Sequence, residues 1–191
     1  MEYVDSKESI LSVAVKVFGR WGFKKTTMTD IANAAKKGRR TIYTYFKTKE
    51  DVYEAVINKE ISNLAEKLKG IVYQDLDTRI KLKHYIMKRM ISIKNLLNYH
   101  DALKIAFFED KERFANIRYE FDKIEEKYLK YILQEGLERG EFKNLNTTLT
   151  TQNIMMSIKA FELPYFKELY TKDEEKHLNN IIEILLYGIS N

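Results

Sequence analysis

Residues 27–52 read TMTDIANAAKKGRRTIYTYFKTKEDV, and the order of caps, stripes and breaks within them decides the fold. Thr27 with Asp30 three residues later has capping-box spacing, and Met28, Ile31, Ala32 and Ala35 recur on one helical face. Lys36-Lys37-Gly38 is a turn-sized break. A third short segment follows and ends near Phe46. Ile42, Tyr43 and Phe46 fall on one side of it, while Arg39, Arg40, Thr44 and Lys47 project elsewhere. Thr48 and Asp51 repeat the capping pattern and open a long helix through Val52, Val56, Ile57, Ile61, Leu64 and Leu68. Two short helices joined by three or four residues and braced by longer ones make a helix-turn-helix, whose second helix enters the DNA major groove.

Outward from that motif the pattern stays helical. Asp5 and Glu8 form a plausible capping pair for a first helix, with Ile10, Ala14, Val17, Phe18 and Trp21 at helical spacing and Gly22 as its stop. Leu82, Tyr85, Ile86, Met90, Ile93 and Leu97 trace one face of a fifth helix, and a shorter piece is expected around Ala102 to Phe108. Phe114, Ile117, Phe121, Ile124, Tyr128 and Ile132 run down a long helix that stops near Gly140. Asn146 or Thr147 opens another, which Pro164 is expected to interrupt. Leu178, Ile181, Ile182, Leu185, Leu186 and Ile189 make a broad apolar stripe on the last. The sequence predicts an all-α fold of about nine helices: a three-helix head over residues 1–50 and a larger helical body over residues 51–191.

The 191 residues carry 45% apolar and 13% aromatic side chains, which is globular composition. A single proline and seven glycines favour long helices over a turn-rich β fold. No cysteine is present, so there is neither a disulfide framework nor a thiolate zinc site. The first residues, MEYVDSKESI, lack the pattern of a secretory signal, and no apolar run approaches the roughly 18–20 residues needed to cross a bilayer. A cytoplasmic protein without membrane contact is expected. Of the net charge of +5, residues 1–50 contribute 11 cations against 5 acids, so all the positive excess lies in the first quarter. Such asymmetry points to a polyanion meeting the head alone.

Residues 8 to 52 carry a resemblance. "ESILSVAVKVFGRWGFKKTTMTDIANAA" is similar to the opening of the TetR family of bacterial transcriptional regulators, with its Phe–x–x–x–Gly-aromatic turn and its Thr-Thr-x-x-x-Ile-Ala segment. "TIYTYFKTKEDV" resembles the family's Thr-[Leu/Ile]-Tyr-x-[His/Tyr]-Phe-x-[Ser/Thr]-Lys-Glu signature. The resemblance implies a homodimer binding a short double-stranded palindromic operator, with the variable helices as a ligand-binding and dimerisation body. A small effector, apolar or amphipathic, would alter the spacing of the two heads and release DNA. The departure lies in the turn: where the family commonly reads Ala-Gly-Val-Ser, this chain reads Ala35-Lys36-Lys37-Gly38, and Arg40 occupies a position usually held by a small residue.

Each residue type then takes an expected role. Arg39 and Arg40 carry planar forks that can read guanine O6 and N7, each good contact giving about 1–3 kcal/mol of discrimination. Lys37 and Lys49, as point charges, suit phosphates. Thr41 matches a family position that touches DNA, Tyr45 would give its hydroxyl to a phosphate, and Tyr43 divides between core and contact. Thr27 would cap its helix and place the amide end at a phosphate. Tyr85, Met90, Phe107, Phe108, Phe121, Tyr128 and Met155 would line an effector pocket, although such residues at helical spacing are more often ordinary core. Leu178, Ile182, Leu185, Leu186 and Ile189 would form the dimer interface.

No cofactor and no metal site is expected: Glu174-x-x-His177 presents two ligands on one face, but the second such pair of a di-iron bundle is missing. A Gly-rich phosphate loop, HExxH, GxSxG and a catalytic Cys are all absent, so the chain does not read as an enzyme. The sequence therefore describes a ligand-responsive DNA-binding repressor; the competing reading is a helical scaffold whose basic head meets another polyanion.

Overall fold

The computed structural model describes residues 2–101, 103–104, 111–167 and 173–190; the side chains of residues 2–5, 111–114, 117 and 174 are not part of that description. Eight helices are formed among the described residues: α1 (Glu2–Lys25), α2 (Met28–Ala34), α3 (Arg39–Tyr45), α4 (Lys49–Val72), α5 (Thr78–Tyr99), α6 (Lys111–Glu138), α7 (Thr147–Phe166) and α8 (Glu174–Ile189). The only extended pairing among them is an isolated bridge between Phe142 and Ser190. The expected short helix from Ala102 to Phe108 lies largely outside the described residues, with Asp101, Leu103 and Lys104 helical.

The chain divides into two compact units. One comprises Met1–Ser62 and Asn95–Arg118, the other Asn63–Lys94 and Tyr119–Asn191. The first therefore takes in more than the head alone. Within it α1 packs on α2 and α2 on α3, around Ile10, Phe18, Ile31, Ile42, Val52 and Val56, each no more than 1% exposed. Helix α1 begins at Glu2, ahead of the expected cap at Asp5, and breaks at Gly22, whose φ of 76° only glycine adopts readily. Trp21, placed on the buried stripe by its spacing, is 43% exposed, because the stripe drifts off that face before the break.

The second unit buries Leu82, Ile86, Ile132, Leu133, Ile158 and Ile182. Its helix junctions are closed by polar side chains. Thr78 donates its N–H (2.7 Å) and its hydroxyl to the Glu141 carboxylate, and Asn146 caps α7 by accepting from the Leu149 N–H at 3.0 Å. Pro164 does not interrupt α7 as expected; it sits in the last turn, and the helix ends two residues later at Phe166. A proline so close to the C-terminus removes one amide bond without leaving a further turn to break.

Candidate nucleic-acid interface

Both expected capping boxes form. Thr27 Oγ1 accepts from the Asp30 N–H at 3.2 Å, and Asp30 accepts from the Thr27 N–H at 2.8 Å and from its hydroxyl at 2.6 Å. That hydroxyl, then the amide, hold the Asp30 carboxyl below its ordinary value. Asp51 accepts from the N–H groups of Thr48 and Lys47, both at 2.9 Å, and Thr48 Oγ1 accepts from the Asp51 N–H at 3.1 Å. The two boxes fix where α2 and α4 begin, and so frame the turn and α3 between them.

The departure from the family in that turn has a geometric outcome. Lys36 takes the left-handed conformation, with φ 52°. Its N–H donates to the Asn33 carbonyl at 3.1 Å and the Lys37 N–H to the Ala32 carbonyl at 3.0 Å, the paired bonds of a Schellman close. The turn keeps its path with lysine in the position glycine would normally occupy. Gly38, at φ −65° and ψ 150°, is in extended backbone and serves as the N-cap of α3 without a side chain to do so.

Helix α3 is anchored by Ile42, fully buried, and by Phe46, 4% exposed. Arg39 and Arg40 in its first turn are exposed, as are Tyr43 and Thr44; Lys37, Thr41 and Tyr45 are half-buried. Thr44 returns its hydroxyl to the Arg40 carbonyl at 2.9 Å. Tyr43 is 52% exposed, so it belongs to the outer face and not to the core side shared by Ile42 and Phe46. One convex face thus carries Arg39, Arg40 and Tyr43, with Lys36 and Lys37 in the turn before them and Thr27 exposed at the start of α2.

Lys49 is placed differently. Its ammonium donates to the Phe23 carbonyl at 3.0 Å and lies 4.4 Å above the centre of the Phe23 ring. The expected phosphate contact is therefore engaged within the protein, where it closes the open carbonyl end of α1 and adds a cation–π contact.

The chain matches the family model described as "Bacterial regulatory proteins, tetR family" over residues 10–56, which spans the whole of this motif. The chain thus carries the DNA-binding region of the TetR family. It is similar to the "Fatty acid metabolism regulator protein" of Bacillus subtilis, with 26% identity covering 95% of this chain and 94% of that one. A transcriptional regulator from Cytophaga hutchinsonii superposes with a TM-score of 0.84 at 26% identity, covering 96% of this chain and 98% of its own. FadR from Bacillus subtilis in complex with stearoyl-CoA shares the fold, with a TM-score of 0.67 and 24% identity over 95% of this chain and 98% of that one. This TetR-family chain is thus a helix-turn-helix transcriptional regulator, and such regulators are not enzymes. No described helix is long and apolar enough to cross a membrane.

Of the residues assigned to an effector pocket, Tyr85 and Tyr128 meet edge-on with ring centroids 6.4 Å apart. Tyr85, Met90 and Phe121 are packed in the core at no more than 3% exposure, Tyr128 and Met155 are half-buried, and Phe107 and Phe108 lie outside the described residues. The body also contains a charged centre that periodicity did not suggest. Arg89 on α5 donates from Nε to Glu125 Oε1 and from Nη2 to Glu125 Oε2 at 3.0 Å, and its Nη2 lies 2.6 Å from Glu162 Oε1. All three side chains are 2–3% exposed. Burial pulls the Arg89 guanidinium down, but the two carboxylates outweigh it and hold the group above its ordinary value. Tyr85 joins at 3.4 Å from Glu125 Oε1; burial first, and then the Glu125 charge, push its phenol well up. The available signal was an ionisable residue at core register: Arg89 lies four residues after Tyr85 and seven after Leu82.

The stripe assigned to the dimer interface is divided between buried and half-buried positions. Leu178 (2%), Ile182 (0%) and Leu186 (8%) are buried within their own unit, and Leu185 and Ile189 are half-buried. The apolar side chains left open on these helices are Leu149 (56%), Met156 (62%) and Leu163 (44%) on α7, with Ile184 (63%) and Tyr187 (86%) on α8. A broad stripe on a terminal helix first satisfies its own core.

Proposed function

We propose that this regulator is a repressor that binds a palindromic operator as a homodimer and is released by a small amphipathic effector. The observation that carries the reading is the exposed face of α3. Arg39 and Arg40 stand in its first turn, where helix-turn-helix proteins meet base edges, while Ile42 and Phe46 anchor the helix from below. Lys37, Thr41, Tyr45 and Thr27 flank that face and suit the phosphate backbone. For the dimer, the exposed Leu149, Met156, Leu163, Ile184 and Tyr187 would add to the half-buried Leu185 and Ile189 of the α8 stripe, whose Leu178, Ile182 and Leu186 are buried. An amphipathic effector is supported by the stearoyl-CoA held by FadR of Bacillus subtilis and by the name of the fatty acid metabolism relative. Expected partners are thus a DNA duplex, an effector and a second copy, with no resident cofactor.

The test is selection of genomic duplexes by the purified full-length protein under nonspecific competitor DNA. A specific duplex should be retained with an affinity about 10³–10⁷ above nonspecific binding. Arg40→Ala should change the selected sequence, whereas Lys37→Ala should weaken all sequences about equally and reduce the salt slope by roughly one. Recovery of no duplex, together with equal binding to RNA or another polyanion, would replace the operator reading with that of a polyanion-binding scaffold.

A further inference from the structure

The end of α1 is gripped from two sides by residues away from the reading face. Asp101 accepts the Phe23 N–H at 3.0 Å (Oδ1) and 3.3 Å (Oδ2), while Lys49 donates to the Phe23 carbonyl at 3.0 Å. The Phe23 ring lies 5.9 Å from that of Phe18 and 4.8 Å from that of Tyr53. The Tyr53 hydroxyl in turn accepts the Leu103 N–H at 3.0 Å. Two glycines let this segment come close. A Cβ on Gly19 would overlap the Tyr99 ring, and one on Gly22 would lie 2.6 Å from Asp101 Oδ2. Tyr99, His100, Asp101 and Leu103 are thus fitted onto the α1 terminus and α4 by main-chain bonds, aromatic edges and missing side chains.

His100 sits inside this fit at 1% exposure, and neither ring nitrogen has a hydrogen-bond partner. Its ring meets Tyr53 edge-on at 6.1 Å and Tyr99 at 5.0 Å. Among the described residues, the titratable groups placed against it are Tyr53 from α4, and Tyr99 and Asp101 from its own segment. Helix α1 meets the segment through Gly19, Gly22 and Phe23, none of which titrates. A neutral imidazole tolerates this place, whereas an imidazolium would bury a charge with two unsatisfied donors.

We propose that Tyr99, His100, Asp101 and Leu103 form a clasp that closes only while His100 is neutral, and that Asp101 is thereby a positioning residue for DNA binding. Closure fixes the Gly22–Phe23 break and with it the Lys24–Thr27 link that leads into α2. An open clasp leaves that link to be ordered at the moment of binding, which lowers affinity. The DNA part of this inference rests on the operator reading above; the clasp itself does not.

Burial lowers His100 to about 4, with Asp101 opposing in part, against an ordinary value near 6.5. The closed form therefore binds fewer protons than the open one. Closure is fully favoured above about pH 6.5 and is lost progressively as pH falls from there towards about 4. Between pH 7.5 and 5.5 the ratio of open to closed should rise roughly tenfold.

Amide exchange of Phe23 and Leu103 in the full-length protein, corrected for the intrinsic pH dependence of exchange, reads that opening directly. The expected result is a roughly tenfold rise in opening from pH 7.5 to 5.5 in the wild type and no rise in His100→Phe, which keeps the aromatic edge. Asp101→Ala should expose the Phe23 amide at both pH values. Opening that is independent of pH, or that rises equally in His100→Phe, overturns the clasp. If His100→Phe does not fold, NMR titration of His100 in the wild type decides: a value near 4 supports the clasp and one near 6.5 overturns it.

With a duplex selected by the wild type, affinity should fall with the same pH profile and be several-fold weaker in Asp101→Ala. Unchanged affinity in a variant whose Phe23 amide has opened overturns the positioning role. Failure to recover any duplex refutes the operator reading, while the exchange data still decide the clasp.

Discussion

Replacing Arg89 by Met would remove the guanidinium that lies between Glu125 and Glu162. Methionine fills most of the volume of the arginine stem, so the change is chiefly one of charge. Two carboxylates that are 2–3% exposed would lose the fork on which three of their oxygens now converge. Removing one partner from a buried ion pair costs about 3–5 kcal/mol, because the remaining charge stays desolvated. For a chain of this size each kcal/mol moves the thermal midpoint by roughly 2–4 °C, so the midpoint should fall by roughly 6–20 °C. Urea unfolding followed by circular dichroism at fixed protomer concentration gives the free energy without confusing it with any change in association. A companion variant, Arg89→Met with Glu125→Leu and Glu162→Leu, should recover most of the loss, since an apolar replacement of a buried ionic triad is often neutral or better. An Arg89→Met protein within about 1 kcal/mol of the wild type would refute the argument, because the two carboxylates would then not depend on Arg89.

Lys36→Gly should stabilise the protein by ~1 kcal/mol, because the left-handed turn no longer carries a Cβ and this gain exceeds the extra entropy glycine loses on folding. A fall in the urea midpoint would show that the lysine side chain contributes more than its backbone costs. Met156→Glu together with Ile184→Glu, on the open apolar face, should yield a monomer by sedimentation while each chain remains folded. Ile182→Glu should instead unfold the chain, since Ile182 is fully buried. A dimer that survives the first pair of changes would place the interface elsewhere.

The parts of this molecule that were legible in its sequence are those whose causes are local. The Thr27–Asp30 and Thr48–Asp51 boxes involve neighbours three residues apart, and Gly22 is a left-handed residue in its own right. Ile42 and Phe46 anchor α3 as their spacing implied. Lys36 shows the limit of reading a turn by composition: a lysine takes a left-handed backbone angle that composition would assign to glycine. The contacts that escaped the reading are long-range. Phe23 and Asp101 are 78 residues apart, and Lys49 reaches back 26 residues to the same backbone. No helical period encodes such meetings. The α8 stripe was legible as a stripe, but periodicity cannot say whether its partner is the same chain or a second copy.

The bond from Lys49 to Phe23 also bears on how this head behaves as a polyelectrolyte. The stretch 36–49 holds six cations, and a reading from sequence would release a counterion from DNA for each. The Lys49 ammonium is tied to a carbonyl and an aromatic face, so under the operator reading it would meet a phosphate only by giving up both contacts. Under that reading Lys36, Lys37, Arg39, Arg40 and Lys47, all exposed or half-buried, would carry most of the release. Attraction to nonspecific DNA would then be weaker than the charge count implies. The affinity that remains then depends more on how α3 fits its bases than on how many lysines surround it.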